Sequence, residues 1–118
     1  MYIHTLQVRK LFMCKTAEEI QTLIKEKVPV DAVRADGRTP LIFHTASDNK
    51  EVVQELIKLK ADVNLQDNDG LSALMVASQN GYMKIAQCLI FAGAIPDLKS
   101  KEVISTMKYK ICAAIHSL

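Results

Sequence analysis

The chain has 118 residues, 49% apolar and 24% charged, which is the composition of one small globular domain and excludes a collagen-like repeat or a disordered tail. A formal net charge of +2 is too near balance for a general binder of nucleic acid or of anionic membrane surfaces. The longest apolar runs, such as residues 89–95, are too short to cross a bilayer, and the start of the chain leads into Arg9 and Lys10 rather than into a secretory leader.

In chain order, the first predicted element is a helix from His4 to Cys14, with Leu6, Val8, Leu11 and Phe12 available for burial. A second helix is expected around Glu19–Ile24. Both assignments rest on the spacing of the better-marked units that follow. Asp36-Gly37 predicts a tight turn, because glycine takes a positive φ without steric cost. Thr39 is then an N-cap and Pro40 fills the first helical position, where its missing N–H is not needed. This helix is expected to run from Pro40 to about Ser47, broken by Asp48-Asn49. The next covers about Lys50–Leu59, with Val52, Val53, Leu56 and Ile57 on one face. The text then recurs. Asp69-Gly70-Leu71-Ser72-Ala73-Leu74 repeats Asp36-Gly37-Arg38-Thr39-Pro40-Leu41, and the two glycines stand 33 positions apart. Asn80-Gly81 breaks the new first helix. A helix over about Met83–Phe91 repeats the apolar face with Ile85, Ala86, Leu89 and Ile90, and Gly93 ends it. Further on, Ser105-Thr106-Met107 falls where Thr39-Pro40-Leu41 stands, so a helix of about 106–116 is expected there.

A period of this length, with Asp-Gly-x-Thr-Pro-Leu, a helical hairpin and an ending like Lys60-Ala61-Asp62-Val63-Asn64, resembles the ankyrin repeat. The resemblance is specific over residues 31–97 and extends by spacing to both ends. It implies an all-α solenoid of helix-turn-helix units with β-turn fingers, about three and a half repeats in one domain. These are a degenerate N-terminal repeat (1–33), two marked repeats (34–66 and 67–99) and a C-terminal half repeat (100–118). Units of this kind bury their apolar faces only against their neighbours. Four departures from the family pattern stand out. Ile42 and Met75 replace the usual His, removing a side-chain hydrogen bond from the first turn. His44-Thr45 replaces an Ala-Ala pair, so that helix is expected to pack less closely. Lys60 replaces a helix-ending Gly. Val103 replaces a turn Gly, so the last finger is expected to be irregular or absent.

The resemblance implies binding rather than catalysis, and an adaptor or inhibitor that takes a partner protein on its concave face. Carried over position by position, that face comprises Val33, Ala35, Arg38, Ser47, Gln66, Asn68, Leu71, Gln79 and Asn80. Leu71 stands out because a Leu at a finger tip is hard to bury in its own repeat, and Arg38 is the one cation of the set. Two other roles stay open: a host-directed effector of an intracellular bacterium or virus, or a targeting fragment of a larger protein. The family also suggests Asn64 as a hydroxylation site, since Leu56 precedes it by eight positions with Asp62-Val63 directly before it. The competing reading is that Asn64 closes its turn. Near the C-terminus, Lys99, Lys101, Lys108 and Lys110 surround Tyr109 against the single acid Glu102. They read as the solvated face of a terminal helix, whose apolar side is a candidate for self-association.

No enzyme, cofactor or metal is expected. No phosphate-binding glycine loop is present. Cys14, Cys88 and Cys112 show no Cys-x-x-Cys spacing and read as free thiols in a reducing, intracellular setting, cytoplasmic with the nucleus also open. Cys88, at a position that is usually Leu, is expected in the core. His44 and Asp48, four positions apart, are expected to make a surface contact.

Overall fold

A computed structural model describes residues 2–95, with side chains from residue 8 onward. The half repeat over 100–118, its basic stripe, Val103, Cys112 and the self-association surface lie outside the described residues, as does the side chain of Leu6.

Six helices form among the described residues, and most of their ends have a local cause. Helix α1 is Tyr2–Met13 and α2 is Ala17–Lys25. Thr16 caps α2: its hydroxyl accepts the Glu19 N–H at 3.3 Å, and Glu18 and Glu19 place negative charge on the first turn. Helix α3, Pro40–Ala46, opens as expected, with the Thr39 hydroxyl accepting the Ile42 N–H at 3.2 Å. Helix α4 is Lys50–Lys58. Helix α5, Ala73–Asn80, repeats the cap of α3 with Ser72, which accepts the Met75 N–H at 3.4 Å. Helix α6 is Met83–Phe91. Among the described residues there is no strand, only an isolated antiparallel bridge between Gln66 and Ser72.

The helices pair as α1–α2, α3–α4 and α5–α6, and the pairs stack in register. First helices lie side by side in the order α1–α3–α5, second helices in the order α2–α4–α6. The core runs through the whole stack. Leu11, Ile20, Leu41, Ile42, Val52, Val53, Leu56, Leu74, Ile85 and Leu89 are all sealed in it. Positions one period apart share their burial: Val52, Val53 and Leu56 are buried and Ile57 half-buried, while Ile85, Ala86 and Leu89 are buried and Ile90 half-buried. Ile42 and Met75, which stand in place of the family's His, are buried apolar side chains. Their backbone N–H groups donate the cap hydrogen bonds, so each turn keeps its cap with no His side chain present.

Three expectations need correction. His44-Thr45 does not loosen its helix: His44 is 2% exposed and Thr45 is fully enclosed. The larger side chains are absorbed because His44 reaches a backbone acceptor on α1. For the same reason His44 makes no surface contact with Asp48. Asp48 is exposed and takes the left-handed conformation that ends α3, at φ 56°. Cys88 is half-buried, not core, because it lies at the seam with α4, where Gln54 reaches it at 3.7 Å.

Candidate functional site

The expected binding face is built from fingers that begin as turns. In the first finger the Arg34 N–H bonds to the Arg38 carbonyl at 3.0 Å and the Gly37 N–H to the Arg34 carbonyl at 2.9 Å. The Asp36 carboxylate accepts the Arg38 N–H. In the second finger Asp67 does more. Its backbone N–H bonds to the Leu71 carbonyl, and one carboxylate oxygen accepts the N–H groups of Asp69 and Leu71, both at 2.9 Å. The fingers are joined to each other. Asn68 gives its backbone N–H to the Asp36 carbonyl at 3.1 Å and its side-chain amide to the Ala35 carbonyl at 3.0 Å. Gly37 is required at this crossing: φ is +80°, and a Cβ would lie 2.7 Å from the Asn68 nitrogen.

On this scaffold Val33, Ala35, Gln66 and Asn68 are exposed on the fingers, and Ser47, Gln79 and Asn80 are exposed at the ends of α3 and α5. Val33 keeps 60% of its surface in water. Two residues sit differently from the rest. Leu71 is half-buried and packs on the core, with both backbone groups bonded to Asp67. The Arg38 guanidinium Nε lies 3.7 Å from Asp67 Oδ2, a carboxylate whose side chain is only 3% exposed. Arg38 therefore neutralises a buried acid as well as facing solvent.

Sequence reasoning missed Arg34. Its guanidinium lies over Phe12 and Phe43, 5.5 and 5.1 Å from their ring centres, and the two rings meet edge to face. Arg34 thus joins the first finger to α1 and α3 by cation–π contact. The signal was the pair of aromatics near one period apart, which composition alone does not connect to an arginine.

Asn64 takes part in its own turn through its backbone and reaches the next repeat through its side chain. Its backbone N–H goes to the Asp62 carboxylate at 3.0 Å. Its side-chain oxygen accepts the Ile95 N–H at 2.8 Å, and its nitrogen reaches the Gly93 carbonyl at 3.4 Å.

A groove of about 660 Å3 opens elsewhere, between α1 and α2, lined by the buried Cys14 and Leu23 and the exposed Arg9, Met13, Glu19 and Glu26. None of the expected site residues lines it. The Cys14 thiol donates to the Lys10 carbonyl at 2.9 Å, and burial, aided by the Glu19 charge, pushes its pKa to about 11. Such a thiol is protonated near neutrality and is a poor nucleophile. Among the described residues no three His, Cys, Asp or Glu side chains cluster as metal ligands, and no helix is long and apolar enough to cross a membrane.

Comparison with known proteins agrees with this architecture. The profile of the family described as ankyrin repeats, in three copies, matches residues 11–100. No curated protein matches the sequence.

Proposed function

We propose a binding function from one premise: the chain belongs to the ankyrin-repeat family. Members of that family are in general non-catalytic modules for protein–protein interaction. On our reading this chain is an adaptor or inhibitor that presents the concave face formed by its fingers and first helices to a partner protein. The observation that carries the reading is the joining of the two fingers through Asn68, with Val33, Ala35, Ser47, Gln79 and Asn80 left exposed around them. A face fixed by backbone hydrogen bonds loses little freedom on binding, so more of the contact energy becomes affinity.

The choice of test residues follows from the geometry. Arg38→Glu would set a second acid against the nearly buried Asp67, and Leu71→Asp would add a charge to a side chain packed on the core. Either could act through unfolding. Val33→Asp with Asn80→Arg changes only exposed positions. The expected outcome is a protein captured from lysate by the wild type and lost with this double variant at unchanged helix content. A control pair on the second helices, Glu51→Lys with Lys84→Glu, should retain it. Loss with the control pair and retention by the concave variant would move the site to the outer surface.

A further inference from the structure

His44 is held in a way that only its neutral form can satisfy. Its Nε2 lies 2.7 Å from the Leu11 carbonyl. A carbonyl only accepts, so Nε2 carries the proton. Its Nδ1 lies 3.4 Å from the Asn49 side-chain nitrogen, and that nitrogen is also 3.4 Å from the Cys14 carbonyl. The second carbonyl fixes the Asn49 amide with its nitrogen toward both groups. Nδ1 must therefore accept. A proton added there would face the N–H groups of Asn49 with nowhere to go.

The surroundings do not favour the charged ring either. His44 is 2% exposed, and burial lowers its pKa, opposed in part by the bond to Leu11. Helices α3 and α5 carry no other titratable side chain. On α1, Arg9 and Lys10 are exposed and line the groove beside α2. Lys15 follows α1 and is exposed, as are Asp48 after α3 and Lys50 and Glu51 at the start of α4. Glu55 accepts the Gln21 amide. Arg34 lies over the neighbouring Phe43 ring, itself edge-on to His44 at 5.3 Å, and its charge is paired with the Asp36 carboxylate at 3.8 Å. The hydrogen bonds of His44 go to Leu11 and Asn49, and no carboxylate joins them.

These bonds are also a fastening between the first helix pair and the rest, beside the Gln21–Glu55 bond and the shared apolar core. Both carbonyls, Leu11 and Cys14, belong to the end of α1, while His44 and Asn49 belong to the α3–α4 unit. Among the described residues the α1–α2 pair packs against one neighbouring pair only, α3–α4, and a unit held on one side opens at lower cost than one held on both. We propose that His44 is an acid-operated latch: its protonation releases the α1–α2 pair from α3 and α4 while the following repeats stay folded. Phe12 leaves with α1, which removes one of the two rings under Arg34 and remodels the adjacent finger. The latch does not depend on the identity of any partner.

Cys14 reports the opening directly, because it is buried at this seam. In a Cys88→Ser/Cys112→Ser chain it is the one thiol left. Its reaction with 4,4′-dithiodipyridine, normalised to the same chain unfolded, gives its protection at each pH. We expect protection to fall roughly tenfold or more between about pH 7.5 and about pH 5, with the helical circular dichroism largely retained. Asn49→Asp supplies a carboxylate for the second imidazole proton and should move the loss of protection to more acidic pH. His44→Gln cannot titrate and should make protection independent of pH. Constant protection in the parent chain would overturn the proposal. So would loss of the helix signal together with protection, an unchanged profile in Asn49→Asp, or a His44→Gln chain that keeps the acid response.

Discussion

Thr45 and Ser78 stand one period apart, both fully enclosed in their first helices, and the hydroxyl of each finds no partner among the described residues. A buried polar group without a partner costs about 1–3 kcal/mol, its full desolvation penalty. Replacing it with an apolar group of similar shape removes that cost. Ser78→Ala and Thr45→Val should therefore each raise stability by about 1 kcal/mol, seen as a higher urea midpoint at unchanged slope. A lowered midpoint would mean that the hydroxyl is bonded in solution. The sequence marked the place, since His44-Thr45 departs from the family's Ala-Ala pair, but it predicted looser packing. The error has a physical source. His44 is paid for by the Leu11 carbonyl, one full period away, and a backbone acceptor leaves no trace in residue identity. Arg34 was missed for a related reason, because its contacts are with ring faces brought together only by stacking.

Helix ends were the most legible elements. Thr39, Ser72 and Pro40 act on the turn that follows them, and Gly81 and Gly93 on the turn that precedes them, so local chemistry suffices to place them. The second helices are less regular. Helices α4 and α6 begin without a side-chain cap: the amide of Asn49, before α4, is directed at Cys14 and His44, and the residue before α6 is Tyr82. Their ends repeat one conformation with different residues: Lys27, Lys60 and Gly93 lie at φ 66°, 69° and 96°. Glycine meets that requirement freely, whereas a lysine in the left-handed region costs about 1–2 kcal/mol. Lys60→Gly should relieve this strain, offset by about 0.4–1 kcal/mol because glycine makes the unfolded chain more flexible. The expected net gain is roughly 0.5 kcal/mol, measurable by urea unfolding. Lys60→Ala separates the two terms: it keeps the strain and should give no gain. A gain from alanine equal to that from glycine would show that the left-handed turn is not the source. The degree of exposure of Cys88 was not legible at this scale, because it depends on how closely α4 approaches α6.

Across the whole molecule the repeats are fastened by polar contacts in a constant register. The Asp31 carboxylate accepts the Asp62 N–H at 3.0 Å, and the Asn64 amide oxygen accepts the Ile95 N–H at 2.8 Å. On the second helices Gln21 reaches Glu55, and Gln54 reaches Cys88. Each link runs from one repeat to the next. At the first repeat the position equivalent to Asp62 and Ile95 is Pro29, which has no N–H to be received. Stability in such a stack is a sum of unit terms and neighbour terms, so the same chemical lesion should have different reach at different places. Ile20 in α2 and Leu74 in α5 are both fully enclosed, and truncating either to alanine should cost about 2–4 kcal/mol locally. Leu74→Ala weakens a unit that both holds α3 and carries α6, so hydrogen exchange should accelerate in every helix from α3 to α6. Ile20→Ala weakens a unit that packs, among the described residues, on α3 and α4 alone, so exchange should accelerate in α1 and α2 and change little in α5 and α6. Equal acceleration everywhere in both variants would show that the three described units do not open separately and melt as one. That result would also remove the partial opening on which the His44 latch depends, since the α1–α2 pair could not leave while the other described units remain.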